Sequence, residues 1–297
     1  LFAIPSCTFE PPRLQLQRQS REMNIMTDRC TVTALYNYPV KSCRGTSVDE
    51  VQISPTGIEG DRQLMIIKDG KFSNQKRLPK LAQVITKRVD ANSIEFSSAG
   101  SEPITHKIDS GGEEIVIDYY TNMVPVIDQG IELAEWVSLI VGHDVRVVAL
   151  KSTFRRTVPL EEFSLVDGID QSRFVDVAPI LVTNSASLND LNSKLDDPIP
   201  MNRFRPNVVI EGLEAFAEDT VNTLEHGQLK LIRATYCERC AITCTDQETG
   251  ERNSEPLNTL KRYRHREDGY AGGVMFGSYM GVEGTATLRV GDTLTIA

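Results

Sequence analysis

The feature that most constrains the fold is a succession of short apolar segments, each ended by a turn. The segment "TVTALYNYPV" is rich in β-branched and aromatic residues and alternates along its length, which is typical of a half-buried strand. In "RQLMIIKDGKFSN" the pair Asp69-Gly70 predicts the tight turn of a β-hairpin. Many short strands with few helices favour barrels over a doubly wound sheet. Further strands are predicted at residues 94–97, 104–108, 114–118 and 145–150.

Helical periodicity is confined to two places. Apolar residues at helical spacing predict a helix over Ile131–Val141 that ends at Gly142. The stretch "APILVTNSASLNDLNSKL" predicts a strand and then a short helix, with Ser185 or Ser187 as its N-cap. The remaining strands are predicted at residues 208–210, 228–233 and 287–296, the last around the turn in "RVGDTLTI".

These patterns predict a mainly β protein with some helix (α+β), built from two strand-rich, barrel-like domains. We place the first domain at residues 29–145 and the second at residues 146–297, because the helix near residue 131 separates two strand-rich parts. Residues 1–28 differ from the rest, since "EPPRLQLQRQSREMN" is polar, rich in Gln and Arg, and lacks strand alternation. They are interpreted as a flexible leader; the alternative, an organelle-targeting tail, is weakened by the acidic residues within it.

Charge and cysteine content exclude several classes of protein. The formal net charge of −9 argues against a nucleic-acid-binding surface. No apolar run reaches the roughly 18–20 residues of a membrane-spanning helix, so no span is predicted in this chain. Six cysteines among 297 residues are too few for a disulfide scaffold. We therefore expect an intracellular protein, mitochondrial or cytoplasmic.

Three of the six cysteines lie together in "CERCAITC", with the spacing C-x₂-C-x₃-C. A structural zinc site needs a second ligand pair, and an iron–sulfur cluster needs a fourth cysteine from far away. A thioredoxin-like dithiol needs a strand-to-helix turn, whereas this stretch resembles strand, loop and strand. One thiolate serving one metal, or a buried cysteine without chemistry, remain open. The adjacent Arg239 is a cation that would lower the pKa of a nearby thiol.

Basic residues stand at specific turns in this acidic chain. Lys41 and Ser42 follow a strand in "YPVKSCRG", and Arg62 begins one in "GDRQLMII". Arginine forks and a lysine that converge from loops suit a phosphate or another anion with several oxygens. The stretch "MNRFRPNVVI" adds Arg203, Arg205 and Asn207 directly before a strand.

Together these stretches resemble the MOSC superfamily (molybdenum cofactor sulfurase C-terminal type domains) with its N-terminal β-barrel domain. The likeness is greatest to the family of mitochondrial amidoxime-reducing components. It spans roughly residues 31–297, and its motifs stand in order: "YPVKSCRG", "GIEGDRQLMII", "DLNSKL", "MNRFRPNVVI", "RCAITCTDQETGE", "PLNTLKRYR", "FGSYM" and "VGDTL". The resemblance implies that the C-terminal domain is a MOSC-type barrel that binds a molybdenum cofactor (molybdopterin, Mo).

The resemblance also assigns roles to residues. It implies that Cys240 is the protein's ligand to molybdenum and the catalytic residue, with Cys237 and Cys244 as neighbours. Glu238 stands where the family has a small polar residue, which leaves that contact in doubt if it is made through the side chain. The positions that match cofactor contacts are Lys41, Ser42, Arg62, Arg205, Asn207, Glu238 and Arg239.

The implied function is the reduction of N-hydroxylated compounds such as amidoximes, hydroxylamines and N-hydroxylated bases at a Cys-ligated molybdenum. Electrons would come from a separate donor, expected to be a b-type cytochrome with its NADH-dependent reductase. The alternative is a non-catalytic carrier of the molybdenum cofactor or a sulfur-transfer module. Pyridoxal phosphate is associated only with the fused sulfurases of this superfamily, whose extra domain this chain has no room for.

Overall fold

The computed structural model of the protein describes residues 28–119, 122–151, 173–267 and 273–297. Apart from Asp28, the predicted leader lies outside these residues. The strands are β1 (Arg29–Asn37), β2 (Val40–Lys41), β3 (Thr46–Val48), β4 (Glu50–Ser54), β5 (Gly57–Ile58), β6 (Leu64–Lys68), β7 (Lys71–Phe72), β8 (Ile85–Arg88), β9 (Ser93–Ser98), β10 (Ser101–Lys107), β11 (Glu114–Tyr119), β12 (Asn122–Asp128), β13 (Arg146–Leu150), β14 (Ile180–Asn184), β15 (Val208–Glu211), β16 (Thr223–His226), β17 (Leu229–Glu238), β18 (His265–Arg266), β19 (Gly273–Glu283), β20 (Ala286–Arg289) and β21 (Thr293–Ile296).

Helix is a minor component of the described structure. The α-helices are α1 (Ile131–Val141), α2 (Ser185–Asn192) and α3 (Leu257–Lys261). Short 3₁₀ helices cover Pro79–Gln83, Met201–Phe204, Ala217–Asp219 and Ala241–Cys244. The predicted class, mainly β with some helix and two barrels, is confirmed.

The larger barrel is formed mostly by the C-terminal part of the chain. Its strands follow the order β14-β15-β1-β21-β16-β17-β19, and pairing of β19 with β14 closes the ring. Closure leaves no unpaired edge among these strands. The interior is a continuous apolar cluster in which Val32, Leu35, Val182, Leu231 and Met280 are fully buried. Cys30, Val32 and Leu35 of β1 belong to it, and the predicted alternation is shifted by one residue at a β-bulge between Val32 and Ala34.

The smaller barrel is formed by β13-β12-β11-β7-β6, closed by pairing of β13 with β6. β6 is buried over most of its length, because its two faces pack into two different apolar clusters. Leu64 and Ile66 pack toward α1, while Met65 and Ile67 pack toward Tyr119 and its neighbours. The strand β6 therefore needs apolar side chains on both faces, which explains the unbroken run "LMII".

The two barrels are interleaved along the chain. β1 is near the start of the described residues, yet it pairs with β15 and β21 in the larger barrel. Near the other end of the chain, β20 lies outside this ring and pairs with β4. β13, which begins at Arg146, belongs to the smaller barrel. No single boundary in the sequence therefore separates the strands of one barrel from the strands of the other.

Helix ends and turns agree with the predicted positions in two of three places. The helix Ile131–Val141 is confirmed, and Gly142 ends it in the left-handed conformation at φ 73°. The hairpin at Asp69-Gly70 is confirmed, with positive φ at both residues. The predicted cap of α2 is wrong. Asn184 is the N-cap, because its side chain accepts a hydrogen bond from the amide of Ala186.

Candidate functional site

Tyr38 is a buried residue at the centre of a cationic cluster whose two arginines are partly exposed. The guanidinium carbons of Arg62 and Arg205 each lie 4.5 Å from the centroid of its ring. Tyr38 itself is only 3% exposed, and its hydroxyl is buried without a hydrogen-bond partner among the described residues. We call Arg62, Tyr38 and Arg205 the Tyr38 cluster. It brings together two arginines that the sequence analysis assigned to one anion.

The charges of the Tyr38 cluster are only partly balanced. Arg62 forms an ion pair with Asp61, which also accepts a hydrogen bond from the backbone amide of Tyr38. Arg205 has no carboxylate partner among the described residues; its guanidinium lies 3.5 Å from Gln247 Oε1. Burial, together with the nearby charge of Arg62, lowers the pKa of Arg205. An anion between the two arginines would relieve this excess of positive charge.

The backbone is left-handed at three of the predicted binding residues. Ser42, Arg62 and Arg205 have φ values of 69°, 47° and 54°. Residues other than glycine seldom adopt this conformation, and each instance costs free energy that the surrounding structure must supply. Such residues concentrate at functional sites, where they aim backbone and side-chain groups that a regular strand could not. No sequence pattern signals this property, because none of the three is glycine.

Lys41 is buried and already hydrogen-bonded within the protein. Its ammonium group donates to the carbonyl of Phe174 at 2.9 Å and to Asp176 Oδ1 at 2.5 Å. The amide of Phe174 in turn donates to the carbonyl of Arg62, so Lys41 is two contacts away from the Tyr38 cluster. Lys41 can hold a bound anion only by sharing its charge with Asp176.

Two buried glutamines connect Ser42 with Arg205. The amide nitrogens of Gln75 and Gln247 each donate to the other's oxygen at 3.0 Å, and Gln75 also donates to the carbonyl of Ser42. Because the oxygen of Gln247 also faces Arg205, the pair fixes the distance between loops from the two barrels. Both glutamines were missed from the sequence, although Gln247 stands in the "DQETG" segment.

Cys240 lies where β17 ends and the 3₁₀ helix Ala241–Cys244 begins. Its carbonyl accepts hydrogen bonds from the amide and hydroxyl of Thr243, which fixes the backbone of this turn. Its side chain is partly exposed, whereas the thiols of Cys237 and Cys244 are buried. Burial raises the pKa of both of these thiols. Of the three, only Cys240 is placed to meet a ligand from solvent.

Adjacency in the sequence places Arg239 next to Cys240, but its guanidinium donates to other groups. Its guanidinium donates to Cys237 Sγ at 2.6 Å and to the carbonyl of Phe204 at 2.5 Å. It thereby joins the Cys240 turn to the residue before Arg205. One guanidinium nitrogen, Nε, is buried without a partner among the described residues. Arg239 is thus a brace between two loops of the site.

Asn207 and Glu238 lie at the borders of this arrangement. The side chain of Asn207 accepts from the amide of Leu181 at 3.2 Å and donates to the carbonyl of Tyr36 at 3.5 Å, which ties β14 and β1 together. Glu238 ends β17 beside Gly273, where its carboxylate would lie 3.5 Å from an added Cβ. A contact of either side chain with a cofactor stays a prediction.

A cleft of about 490 Å³ opens beside Tyr38. Its walls come from both parts of the chain: Tyr36, Tyr38, Arg44, Gly45, Thr46, Ser47, Ile85, Lys87, Pro200, Met201, Asn202 and Gln247. A depression of about 650 Å³ lies elsewhere, at the C-terminal end of α1, and none of the predicted site residues lines it. The smaller cleft is the better candidate for a binding site, because it is lined by Tyr38 of the cationic cluster and by Gln247, which contacts Arg205.

The chemistry of these residues fits a molybdenum cofactor. The group has an anionic phosphate, for which the Tyr38 cluster offers two arginines, of which one has a carboxylate partner. It also has a soft metal, for which Cys240 offers a partly exposed sulfur. In the part of the chain that the structure describes, no three His, Cys, Asp or Glu side chains come together as a metal site. The cysteine trio therefore does not form a three-ligand cluster.

The chain is similar to known proteins over most of its length. The MOSC N-terminal beta barrel domain family matches residues 29–144, and the MOSC domain family matches residues 170–295. Mitochondrial amidoxime-reducing component 1 of Homo sapiens is 30% identical over 286 residues, which cover 92% of this chain and 85% of that protein. Mitochondrial amidoxime reducing component 2 is 32% identical in Rattus norvegicus and 31% in Bos taurus, each covering 88% of this chain and 82% of the relative. Within the described ranges, the helices are too short or too polar to cross a lipid bilayer.

Proposed function

This chain belongs to the family of MOSC domain proteins with a MOSC N-terminal β-barrel domain that includes the mitochondrial amidoxime-reducing components, and on that premise we propose that it reduces N-hydroxylated compounds. Amidoximes, hydroxylamines and N-hydroxylated bases are the proposed substrates. The proposal is carried by one observation, the partly exposed thiol of Cys240 set at a strand end and braced through Arg239 to the loop of Arg205.

The proposed cofactor is a molybdenum cofactor. When bound, it supplies the two-electron redox chemistry for cleavage of the N–O bond, while the protein supplies binding and orientation. Cys240 would be the metal's protein ligand, and Arg62 and Arg205 would hold the phosphate, with Lys41 and Ser42 beside them. Tyr38 keeps both guanidiniums in place through cation–π contact.

The protein residues would also position the substrate. The substrate is proposed to approach from the exposed side of Cys240; the cleft of about 490 Å³ beside Tyr38 is not lined by Cys240 and is proposed to hold part of the cofactor. Electrons are proposed to come from a separate b-type cytochrome with its NADH-dependent reductase. A mitochondrial location is proposed because the relatives are named mitochondrial.

The test compares two cysteines of the same turn. The wild type, Cys240→Ala and Cys244→Ala are purified from a host that makes the cofactor, and bound molybdenum is measured by mass spectrometry. Benzamidoxime reduction is then assayed with reduced methyl viologen as the electron source. Cys240→Ala is expected to lose turnover on the order of 100-fold or more, since even residues around a metal's ligands cost about 10–100-fold.

The control variant Cys244→Ala, buried and without an assigned role, is expected to keep its turnover. Stoichiometric molybdenum without turnover in the wild type would favour the alternative, a carrier of the cofactor. Undiminished turnover in Cys240→Ala would remove the ligand role from that residue.

A further inference from the structure

A strongly basic segment follows α3 in an otherwise acidic chain. Four of the six residues from Lys261 to Arg266 are Lys or Arg, whereas the formal net charge of the protein is −9. Lys261, Arg262 and His265 are exposed, and neither Lys261 nor Arg262 forms an ion pair among the described residues. The described part of the chain offers no counter-ion to these two exposed cations, whereas surface charges of opposite sign are ordinarily interspersed.

The segment lies next to the Cys240 turn. β18, which contains His265 and Arg266, pairs with the start of β19, where His265 is opposite Val274. The carbonyl of Val274 accepts a hydrogen bond of 2.7 Å from the amide of Arg239, the residue before Cys240. The basic segment is therefore one strand away from the candidate metal ligand.

An aromatic group completes this surface. The guanidinium carbons of Arg266 and Arg233 lie 4.4 Å and 5.7 Å from the ring centroid of Tyr236, which is partly exposed. We call Arg233, Tyr236 and Arg266 the Tyr236 cluster. Tyr and Arg are among the residue types that most often dominate the energy of protein–protein interfaces. We name the whole surface the basic rim: Arg233, Tyr236, Lys261, Arg262, His265 and Arg266.

The nearby acidic residues do not cancel the charge of the basic rim. Asp219 is buried, which raises its pKa; it forms an ion pair with Arg264 and also lies near Arg233 and Arg266, whose positive charges oppose that shift. Glu218 is fully buried and does not reach the surface. Glu238 and Glu267 are neighbours of rim residues in the sequence. Together with Asp219 they give three carboxylates against five cations, Arg264 and the four of the rim, so the balance of these residues is positive.

We propose that the basic rim is the docking surface for an acidic electron-transfer protein; this rests on the function proposed above. Reduction of one N-hydroxylated substrate breaks its N–O bond, consumes two electrons and two protons, and releases water. A haem protein delivers one electron at a time, so it must bind and leave twice in each turnover. Such transient interfaces are small, and complementary charges accelerate and orient the encounter. A positive surface one strand away from Cys240 meets both requirements.

The experiment uses two double variants with equal changes of net charge. Lys261→Glu/Arg262→Glu reverses the exposed end of the basic rim, and Lys71→Glu/Lys107→Glu reverses two exposed lysines on strands of the N-terminal part. Binding of the soluble haem domain of an acidic b-type cytochrome is measured by titration calorimetry at several ionic strengths. Turnover of benzamidoxime is measured with this cytochrome and, separately, with reduced methyl viologen. Thermal unfolding verifies that each variant folds.

The rim variant is expected to bind the cytochrome on the order of tenfold more weakly at low salt, with a smaller dependence on ionic strength. Its KM for the cytochrome should rise by a similar factor, while turnover with methyl viologen stays at the wild-type rate. The control variant should match the wild type in binding. Equal affinities for the two variants would overturn the proposal.

Two further outcomes distinguish docking of the cytochrome from a failure of the proposed function and from membrane binding. A wild type that contains molybdenum but reduces nothing with either donor would overturn the proposed function, while the calorimetric comparison would still decide whether the rim binds the cytochrome. Loss of binding to phosphatidylserine vesicles in the rim variant, with cytochrome binding unchanged, would overturn the docking proposal in favour of a membrane-facing surface.

Discussion

Two tyrosines of this molecule each lie against a pair of arginines, and the two clusters differ in burial and in counter-charge. In the Tyr38 cluster the ring is 3% exposed, and Arg205 has no carboxylate partner among the described residues. In the Tyr236 cluster the ring is partly exposed, and Arg233 donates to Asn222 at 3.1 Å. The same side-chain types thus support two different proposals, an anion site around the buried ring and a docking surface around the partly exposed one. The four arginines are all partly exposed, so the clusters differ in the burial of the ring and in the desolvation of Arg205, which lowers the pKa of its guanidinium.

The largest expected effect concerns the charge of the buried cluster. Arg205→Met removes the cation and keeps most of the side-chain volume. We expect affinity for the molybdenum cofactor to fall by about two orders of magnitude, roughly 2–3 kcal/mol, since truncating a buried charge partner costs about 2–5 kcal/mol. Molybdenum content after dialysis of the purified protein measures this.

The matching substitution in the exposed cluster, Arg233→Met, should leave molybdenum content at the wild-type level. If both variants lost molybdenum equally, the difference between the clusters would not reflect an anion site.

A second prediction concerns a buried carboxyl near the exposed cluster. Burial raises the pKa of Glu218 to about 7, although its hydrogen bonds from Ser187 oppose the shift. The unfolded chain releases this proton near the usual value of 4.5, so the folded state binds more protons between that pH and about 7. The contribution of Glu218 to the free energy of unfolding therefore falls as pH rises through this window.

Glu218→Gln should abolish this loss of stability at high pH, because glutamine keeps the shape of the side chain and cannot ionise. The variant is expected to be more stable than the wild type at pH 8, by about 1–3 kcal/mol, and similar to it at pH 4.5. Denaturant unfolding at both pH values measures the difference. An equal difference at both pH values would show that Glu218 does not titrate in this window.

A third prediction concerns the hydroxyl of Tyr38. Because this group is buried without a partner among the described residues, Tyr38→Phe should raise the free energy of unfolding of the cofactor-free protein by about 1 kcal/mol. Cofactor content should fall if the hydroxyl binds the ligand. Chemical denaturation of protein from a host that lacks the cofactor gives the stability. An unchanged stability would mean that water reaches the hydroxyl.

The smallest effect is expected in the exposed cluster. Tyr236→Phe removes a hydroxyl from a partly exposed ring and keeps the contacts of the ring with both arginines. We expect a change in stability within about 0.5 kcal/mol, as for most surface substitutions. The same denaturation assay serves here, and a loss comparable to that of a core substitution would contradict the distinction between the two clusters.

Local patterns predict much of the fold. Many of the strands, the hairpin at Asp69-Gly70 and the helix Ile131–Val141 depend on periodicity and turn chemistry, which are visible in a single stretch of sequence; the glycine-rich strand β19 is not predicted. The N-cap of α2 is predicted at least one residue late, since Asn184 and Ser185 are both good caps and only the backbone conformation distinguishes them. The pairing of β1 with β21 is not predicted, because no local pattern specifies a partner so far along the chain.

The site is predicted less completely than the fold. The sequence motifs identify Arg62, Arg205 and Cys240, but they assign no role to Tyr38, although it is the first residue of "YPVKSCRG". Arg239 is adjacent to Cys240 in the sequence, yet its guanidinium donates to the sulfur of Cys237. These contacts depend on how separate loops meet, and that is determined by closure of the barrels.

The place of β1 in the larger barrel has a consequence for the order of events during synthesis. This strand leaves the ribosome first among the described strands, yet Arg29 pairs with Thr295 near the other end of the chain. The barrel cannot close until its last strand has been made. Until then the edge of β1 that pairs with β21 has no partner, and its apolar face is incompletely covered. Chains dominated by such distant pairings fold slowly and expose strand edges in the meantime. Newly made protein is therefore expected to depend on chaperones until β21 arrives.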